Sequence, residues 1–324
     1  MDVEIKRIEL QYKELLEQLK IQAETNSNTI MNSNSSNEYK FYYFNQIKIW
    51  FFQMLQNLQN QRDNQIKAIK HKYFIYKNPR PPTKAACLIG INYVNTNSEL
   101  RGCINDVIKL KSILQTKFEY HPDHILTLTN DQATRNNIIN TFTRLLINSE
   151  EGDTLFFSFA GHGAYSTDNN SDETDGKDEF IVSVDNQPII DDEFKLIIDK
   201  YLKSGVKLVT VFDNCHSGTI LDLPYQYINK DTFKSHHSTT TKGEVICISG
   251  CKDNQVSADA YIKGTFNGAM TWALVEVLST CDKNSTWDQC LTSLREKLRI
   301  GGFPQLPQLT SGTKLDFNEK YVNI

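Results

Sequence analysis

Two short stretches place reactive side chains at the ends of apolar runs. Five of residues 206–212 are apolar, and Asp213-Asn214-Cys215-His216-Ser217-Gly218 follows them. That pattern reads as a buried strand of a parallel sheet closing in a tight polar turn. Groups just past the carboxyl ends of such strands are displayed, so Cys215 is a candidate nucleophile, the alternative being one more packed thiol. Asp153-Thr154-Leu155-Phe156-Phe157-Ser158-Phe159-Ala160-Gly161-His162-Gly163 repeats the form, with glycines flanking an imidazole. A thiol and an imidazole together suit acyl transfer: His162 takes the proton of Cys215 and later returns it to the leaving amine. Backbone N–H groups of Gly163 and Cys215 are the candidate oxyanion donors. His216 is a rival base by sequence, but neighbours on extended chain point to opposite faces.

His162 precedes Cys215 by 53 positions, close to the spacing of about 50 seen in caspases, although the cysteine context is not the caspase one. Ser-Phe-Ala-Gly-His-Gly at 158–163, Asp-Asn-Cys-His-Ser-Gly-Thr at 213–219 and Leu-Arg-Gly-Cys-Ile-Asn-Asp at 100–106 together resemble a metacaspase. The segments at 249–259 and 268–271 extend the likeness, which runs from about residue 84 to the end of the chain. It implies a caspase-hemoglobinase fold, a Cys215/His162 dyad and the oxyanion pair named above. Cys87, Cys103, Cys247, Cys251, Cys281 and Cys290 read as packing residues, although Cys103 matches a second cysteine that is open to solvent in some members of the family.

Specificity can be argued from charge. Asp213 stands two residues before the nucleophile, and Asp106 ends the Gly102–Asp106 turn. Two carboxylates near the thiol would pair with a cationic side chain, bidentate if it is Arg. The resemblance assigns both to the S1 pocket, with cleavage after Arg or Lys. Asp106 can equally cap a helix. Ala160 stands where the family commonly has Ser beside S1, which removes one pocket hydrogen bond.

Residues 168–179 are dense in carboxylates, but their spacing is not that of an EF-hand, and a solvated acidic loop is the plain reading. Asp191-Asp192 and Asp222 add hard oxygen donors without thiol or imidazole, a set suited to Ca²⁺. By resemblance, Asp178, Asp191, Asp192 and Asp222 are the activating calcium ligands.

The elements that must position these groups alternate. Strands are expected at 86–93, 125–129, within the 153–163 stretch that carries His162, and at 180–184, 206–212 and 245–249. Helices are expected at 105–118, 135–148, 191–203, 268–280 and 287–299. The fold class is therefore α/β: a caspase-like, mostly parallel central sheet flanked by helices, with an N-terminal helical extension. Residues 1–83 read as a helical prodomain or association element, and 84–324 as the peptidase domain, large-subunit-like over 84–228 and small-subunit-like over 243–324. Within the extension, Ile5, Ile8, Tyr12, Leu15 and Leu19 form an a/d seam over 3–22, fitting a short coiled coil or a helix docked on the body. Residues 25–37 read as a polar linker, and a helix over 39–76 carries an apolar face of Ile47, Trp50, Met54, Leu55 and Leu58.

The 324 residues carry a net charge of −4, so no global field points to nucleic acid. Gln46–Phe51 echoes a homeodomain helix, but the basic run needed for phosphates is absent. No apolar run is long enough to cross a membrane and no secretory signal is legible. Seven cysteines without CxxC pairs fit a reducing, cytoplasmic setting. The expectation is a Ca²⁺-activated cysteine endopeptidase acting on proteins or peptides with a basic P1 residue. It would process itself within 230–242 or near Arg80 and Lys84, and self-associate through its N-terminal helices. The alternative is an idle caspase-like scaffold working through those helices.

Overall fold

The structure is a computed structural model that describes residues 2–77, 81–167, 177–214, 220–229, 232–235, 238–250, 259–262, 264–282, 284–315 and 324. The chain divides into two units, Met1–Pro81 and Pro82–Ile324.

The first unit holds α1 (Asp2–Met31) and α2 (Asn37–Lys77), packed against each other. The linker expected over 25–37 shrinks to a few residues, because α1 runs on to Met31. Thr25, Ser27 and Thr29 each donate a hydroxyl to the carbonyl four residues back, at 2.8 Å, so these polar residues bond within the helix instead of unravelling it. Leu15 falls outside the seam at 47 % exposure, and Leu19 is the buried apolar side chain of this unit among the described residues.

The second unit begins with β1 (Lys84–Gly90), α3 (Cys103–Thr116), β2 (Ile125–Thr129), α4 (Arg135–Ile147) and β3 (Thr154–Ala160). Next come β4 (Gly163–Thr167), β5 (Lys177–Val182), β6 (Pro188–Ile190), α5 (Asp191–Tyr201) and β7 (Lys207–Asp213). The chain continues through β8 (Tyr225–Asn229), β9 (Thr232–Ser235), β10 (Glu244–Ser249), β11 (Asp259–Ile262) and β12 (Thr265–Gly268). It closes with α6 (Ala269–Thr280), α7 (Trp287–Ile300) and β13 (Gln308–Ser311).

Eight strands form one sheet in the order β2-β1-β3-β7-β10-β13-β8-β9. Its first five are mutually parallel, and the antiparallel β13, β8 and β9 extend it to one side. Alternate residues of each strand enter opposite cores, as the two-residue period of a strand requires. Leu88, Phe156, Val209, Val211, Ile246 and Ile248 pack under α3, α6 and α7. Cys87, Ile89, Phe157, Phe159, Phe212 and Cys247 pack under α4 and α5. Both faces are thereby covered, which is why the central strands read as nearly continuous apolar runs. Two small sheets, β4-β5-β6 and β11-β12, stand apart from the main one. Lys84 opens β1 and is not in a loop; its Nζ donates to the carbonyls of Phe118 and Ile324 at 2.9 and 3.2 Å.

Candidate active site

The register places the expected groups along one edge. Gly90 pairs with Ala160, and Ala160 with Asp213, so β1, β3 and β7 end side by side. His162 follows Ala160 by two residues and Cys215 follows Asp213 by two. Cys215 itself lies outside the described residues, as do His216 and the acidic run 168–176.

Loop residues between β1 and α3 hold His162. Its Nε2 lies 2.6 Å from the Ser98 carbonyl oxygen. A carbonyl can only accept, so Nε2 carries the hydrogen, and in the neutral imidazole Nδ1 keeps its lone pair. The Tyr93 ring lies 4.5 Å from the imidazole, centroid to centroid, tilted by 37°. The His162 carbonyl accepts the Val182 N–H at 3.0 Å, fixing the backbone to β5. Gly163 and Ile181 then form a non-hydrogen-bonded pair, which leaves the Gly163 N–H out of that ladder. Ser98 and Tyr93 were not legible as site residues: one acts through its backbone, and the other fell at the end of an expected strand.

The two expected pocket carboxylates meet at Gly268. Asp106, 1 % exposed, accepts the Gly268 N–H at 2.9 Å. Asp213, 5 % exposed, accepts the Thr271 N–H at 2.8 Å. A Cβ on Gly268 would fall 2.8 Å from Asp106 Oδ2 and 2.2 Å from Asp213 Oδ2, so both groups close on a position that only glycine fits. Asp106 therefore reaches across to the start of α6, and α3 has no side-chain cap. The β11–β12 hairpin is anchored beside it: Asn105 Nδ2 donates to the Phe266 carbonyl at 2.9 Å, and the Lys109 Nζ donates to Asn267 Oδ1. Ala160 is buried between Gly90 and Asp213.

Among the proposed calcium ligands, Asp191 and Asp192 open α5, and Asp178 lies in β5, its side chain outside the described set. Asp191 Oδ2 accepts the Glu179 N–H at 2.8 Å and its Oδ1 the Asp192 N–H at 3.0 Å. That contact joins the start of α5 to the β5 backbone next to Asp178. Asp222 sits before β8 with φ of 46°. The donors are all hard carboxylate oxygens and fit Ca²⁺ by chemistry. Among the described residues, no three His, Cys, Asp or Glu side chains gather as a metal cage.

Cys103 is buried at 7 % exposure, as a packing residue is, and not open to solvent as in some members of the family. Burial pushes Cys87 and Cys247 up to about 12 and raises Cys290, so all three stay protonated and unreactive near neutrality. No described helix is long and apolar enough to cross a membrane.

Comparison with known sequences settles the family. The profile of the metacaspase peptidase C14 domain matches residues 84–224. Metacaspase-1 of Yarrowia lipolytica is 35 % identical over 322 residues, covering 82 % of this chain and 69 % of the relative. The chain belongs to the metacaspases. Metacaspase-1 of Pyricularia oryzae is 35 % identical over 289 residues, 72 % of each chain. Metacaspase-1 of Saccharomyces cerevisiae strain S288c is 34 % identical over 298 residues, 74 % of this chain and 68 % of the relative. A crystal structure of a Geobacter sulfurreducens protein superposes with a TM-score of 0.57 at 22 % identity, over 75 % of this chain and 99 % of that one, which supports the fold alone. As a metacaspase, the protein is a cysteine-type peptidase, a hydrolase of peptide bonds.

Proposed function

We propose that this metacaspase is an endopeptidase that cleaves after Arg or Lys, with Cys215 as nucleophile and His162 as general base and acid. The observation carrying this reading is the register of β3 and β7, which ends the His162 and Cys215 strands side by side. With Nε2 donating to the Ser98 carbonyl, Nδ1 is the atom that takes the thiol proton. The Cys215 Sγ then attacks the scissile carbonyl carbon, and the N–H groups of Gly163 and Cys215 receive the oxyanion. Collapse expels the amine, protonated from Nδ1, and leaves a thioester. Water, deprotonated by His162, hydrolyses it and restores the thiol.

The basic P1 preference is supported by Asp106 and Asp213, two buried carboxylates around Gly268 on the edge that leads to Cys215. A guanidinium answers that paired charge better than any neutral side chain. Calcium is the proposed activator, held by Asp178, Asp191, Asp192 and Asp222; bound there, it would neutralise carboxylates that repel one another. Self-cleavage is assigned to 230–242, where β9 forms an exposed sheet edge carrying Lys234. Self-association is assigned to α1 and α2, whose exposed Phe41, Ile49 and Phe52 leave apolar surface to cover.

The test is covalent capture. A peptidyl-arginine fluoromethyl ketone incubated with the protein and Ca²⁺ should add to Cys215, located by peptide mass spectrometry, and the aspartyl analogue should not. Labelling elsewhere, or equal labelling by both reagents, contradicts the proposal.

A further inference from the structure

Tyr93 is gripped more tightly than a core aromatic needs to be. Its backbone adopts φ of 47°, a left-handed conformation uncommon for a bulky side chain. The neighbouring backbone pins it there. The Asn92 N–H donates to Asn130 Oδ1 at 2.9 Å, and the Asn92 carbonyl accepts the Leu100 N–H at 2.8 Å. The Tyr93 carbonyl accepts from the Thr96 hydroxyl at 2.7 Å and the Thr96 N–H at 3.2 Å. Strain of this kind persists where the surroundings over-determine it and clusters at working sites.

The side chain spends that constraint on His162. Its hydroxyl accepts the His162 N–H at 3.0 Å and donates to the Val182 carbonyl at 2.6 Å. Burial holds the phenol protonated, so it can donate and accept at once. Its ring lies along the imidazole face. Gly161 makes the approach feasible, since a Cβ there would fall 2.8 Å from the Tyr93 hydroxyl oxygen. The same loop supplies Ser98, whose carbonyl holds Nε2. One loop thus fixes both the face and the far nitrogen of the ring.

We propose that Tyr93 is a positioning residue for the dyad, acting through the His162 backbone and ring face to hold Nδ1 toward the nucleophile. The inference rests on His162 being the acid–base group. Tyr93→Phe removes the two hydroxyl bonds and keeps the ring, whereas Tyr93→Leu removes both.

The experiment uses full-length protein with Ca²⁺ and an arginyl fluorogenic peptide, alongside ¹⁵N-histidine NMR in which His162→Ala assigns the His162 ring. Native protein should show His162 as a single Nε2–H tautomer. Tyr93→Phe should lower kcat about tenfold and Tyr93→Leu on the order of 10²-fold, with KM unchanged. In Tyr93→Leu the ring signals should move toward a tautomer average. Native kcat and native ring signals in both variants overturn the proposal, as does a lowered melting temperature with kcat and tautomer unchanged. If native protein cleaves nothing, the peptidase reading of this site has failed, and the ring signals alone decide whether Tyr93 positions His162.

Discussion

The Asp213 carboxylate accepts the Thr271 N–H at 2.8 Å, so the last residue of β7 caps α6 from outside that helix. The N-cap position is Gly268, which has no side chain to do this. A carboxylate at a helix N-terminus is stabilised as the anion by the helix dipole and by a charge-assisted hydrogen bond. Asp213 thus has a backbone donor beside the pocket proposed for a cation. Asp213→Asn keeps an acceptor for Thr271 and removes the charge. The melting temperature should change little, while kcat/KM for arginyl peptides falls on the order of 10²-fold, about 3 kcal/mol.

Gly268→Ala tests the same pocket by volume instead of charge. The added methyl meets both carboxylates closer than any real contact, and overpacking of this kind costs about 1–3 kcal/mol. Thermal unfolding should shift down by about 2–4 °C per kcal/mol in a domain of this size. KM for arginyl peptides should rise, and kcat should fall with it, because Asp213 ends the strand that leads to Cys215.

Much of this architecture was legible, and what escaped did so for physical reasons. The strand at 125–129 is legible to the residue because an apolar alternation ends in turn residues on both sides. The central strands were found because burial on both faces makes them unbroken apolar runs. The short strands β8, β9, β11, β12 and β13 were not expected; they are antiparallel or peripheral and lack a long period. Asp106 and Asp213 stand out by type; Gly268 stands out only through the likeness at 268–271, and its role exists only where α3, β7 and α6 converge. Likewise, the Ser98 carbonyl carries no signal in a residue's identity.

Stability should fall on the alkaline side. Burial raises Cys87 and Cys247 from an ordinary 9.0 to about 12. Between those values the unfolded chain loses these protons and the folded chain keeps them, so unfolding is favoured as pH rises. The contribution is whole below about pH 9 and is lost progressively toward pH 12. Melting followed by circular dichroism should give a flat temperature from pH 7 to 8.5 and a steady decline above 9. Cys87→Ser should reduce that slope.

The N-terminal unit should associate. α1 carries six acidic and four basic side chains, α2 two acidic and seven basic, so α1 of one copy is complementary to α2 of another. Phe41, Ile49 and Phe52 are 72, 51 and 64 % exposed within that unit. Sedimentation velocity of the full chain should show a species larger than a monomer at micromolar concentration. Phe52→Asp with Ile49→Asp should return it to monomer without altering peptide turnover per active site.

The central claim is tested most directly by turnover of fluorogenic peptides ending in Arg, Lys or Asp, with Ca²⁺ supplied, by native protein and Cys215→Ala. The account predicts cleavage after Arg and Lys by native protein, none after Asp, and none of any kind by the variant. Cleavage after Asp alone would contradict the pocket formed by Asp106 and Asp213, and turnover persisting in Cys215→Ala would contradict the nucleophile.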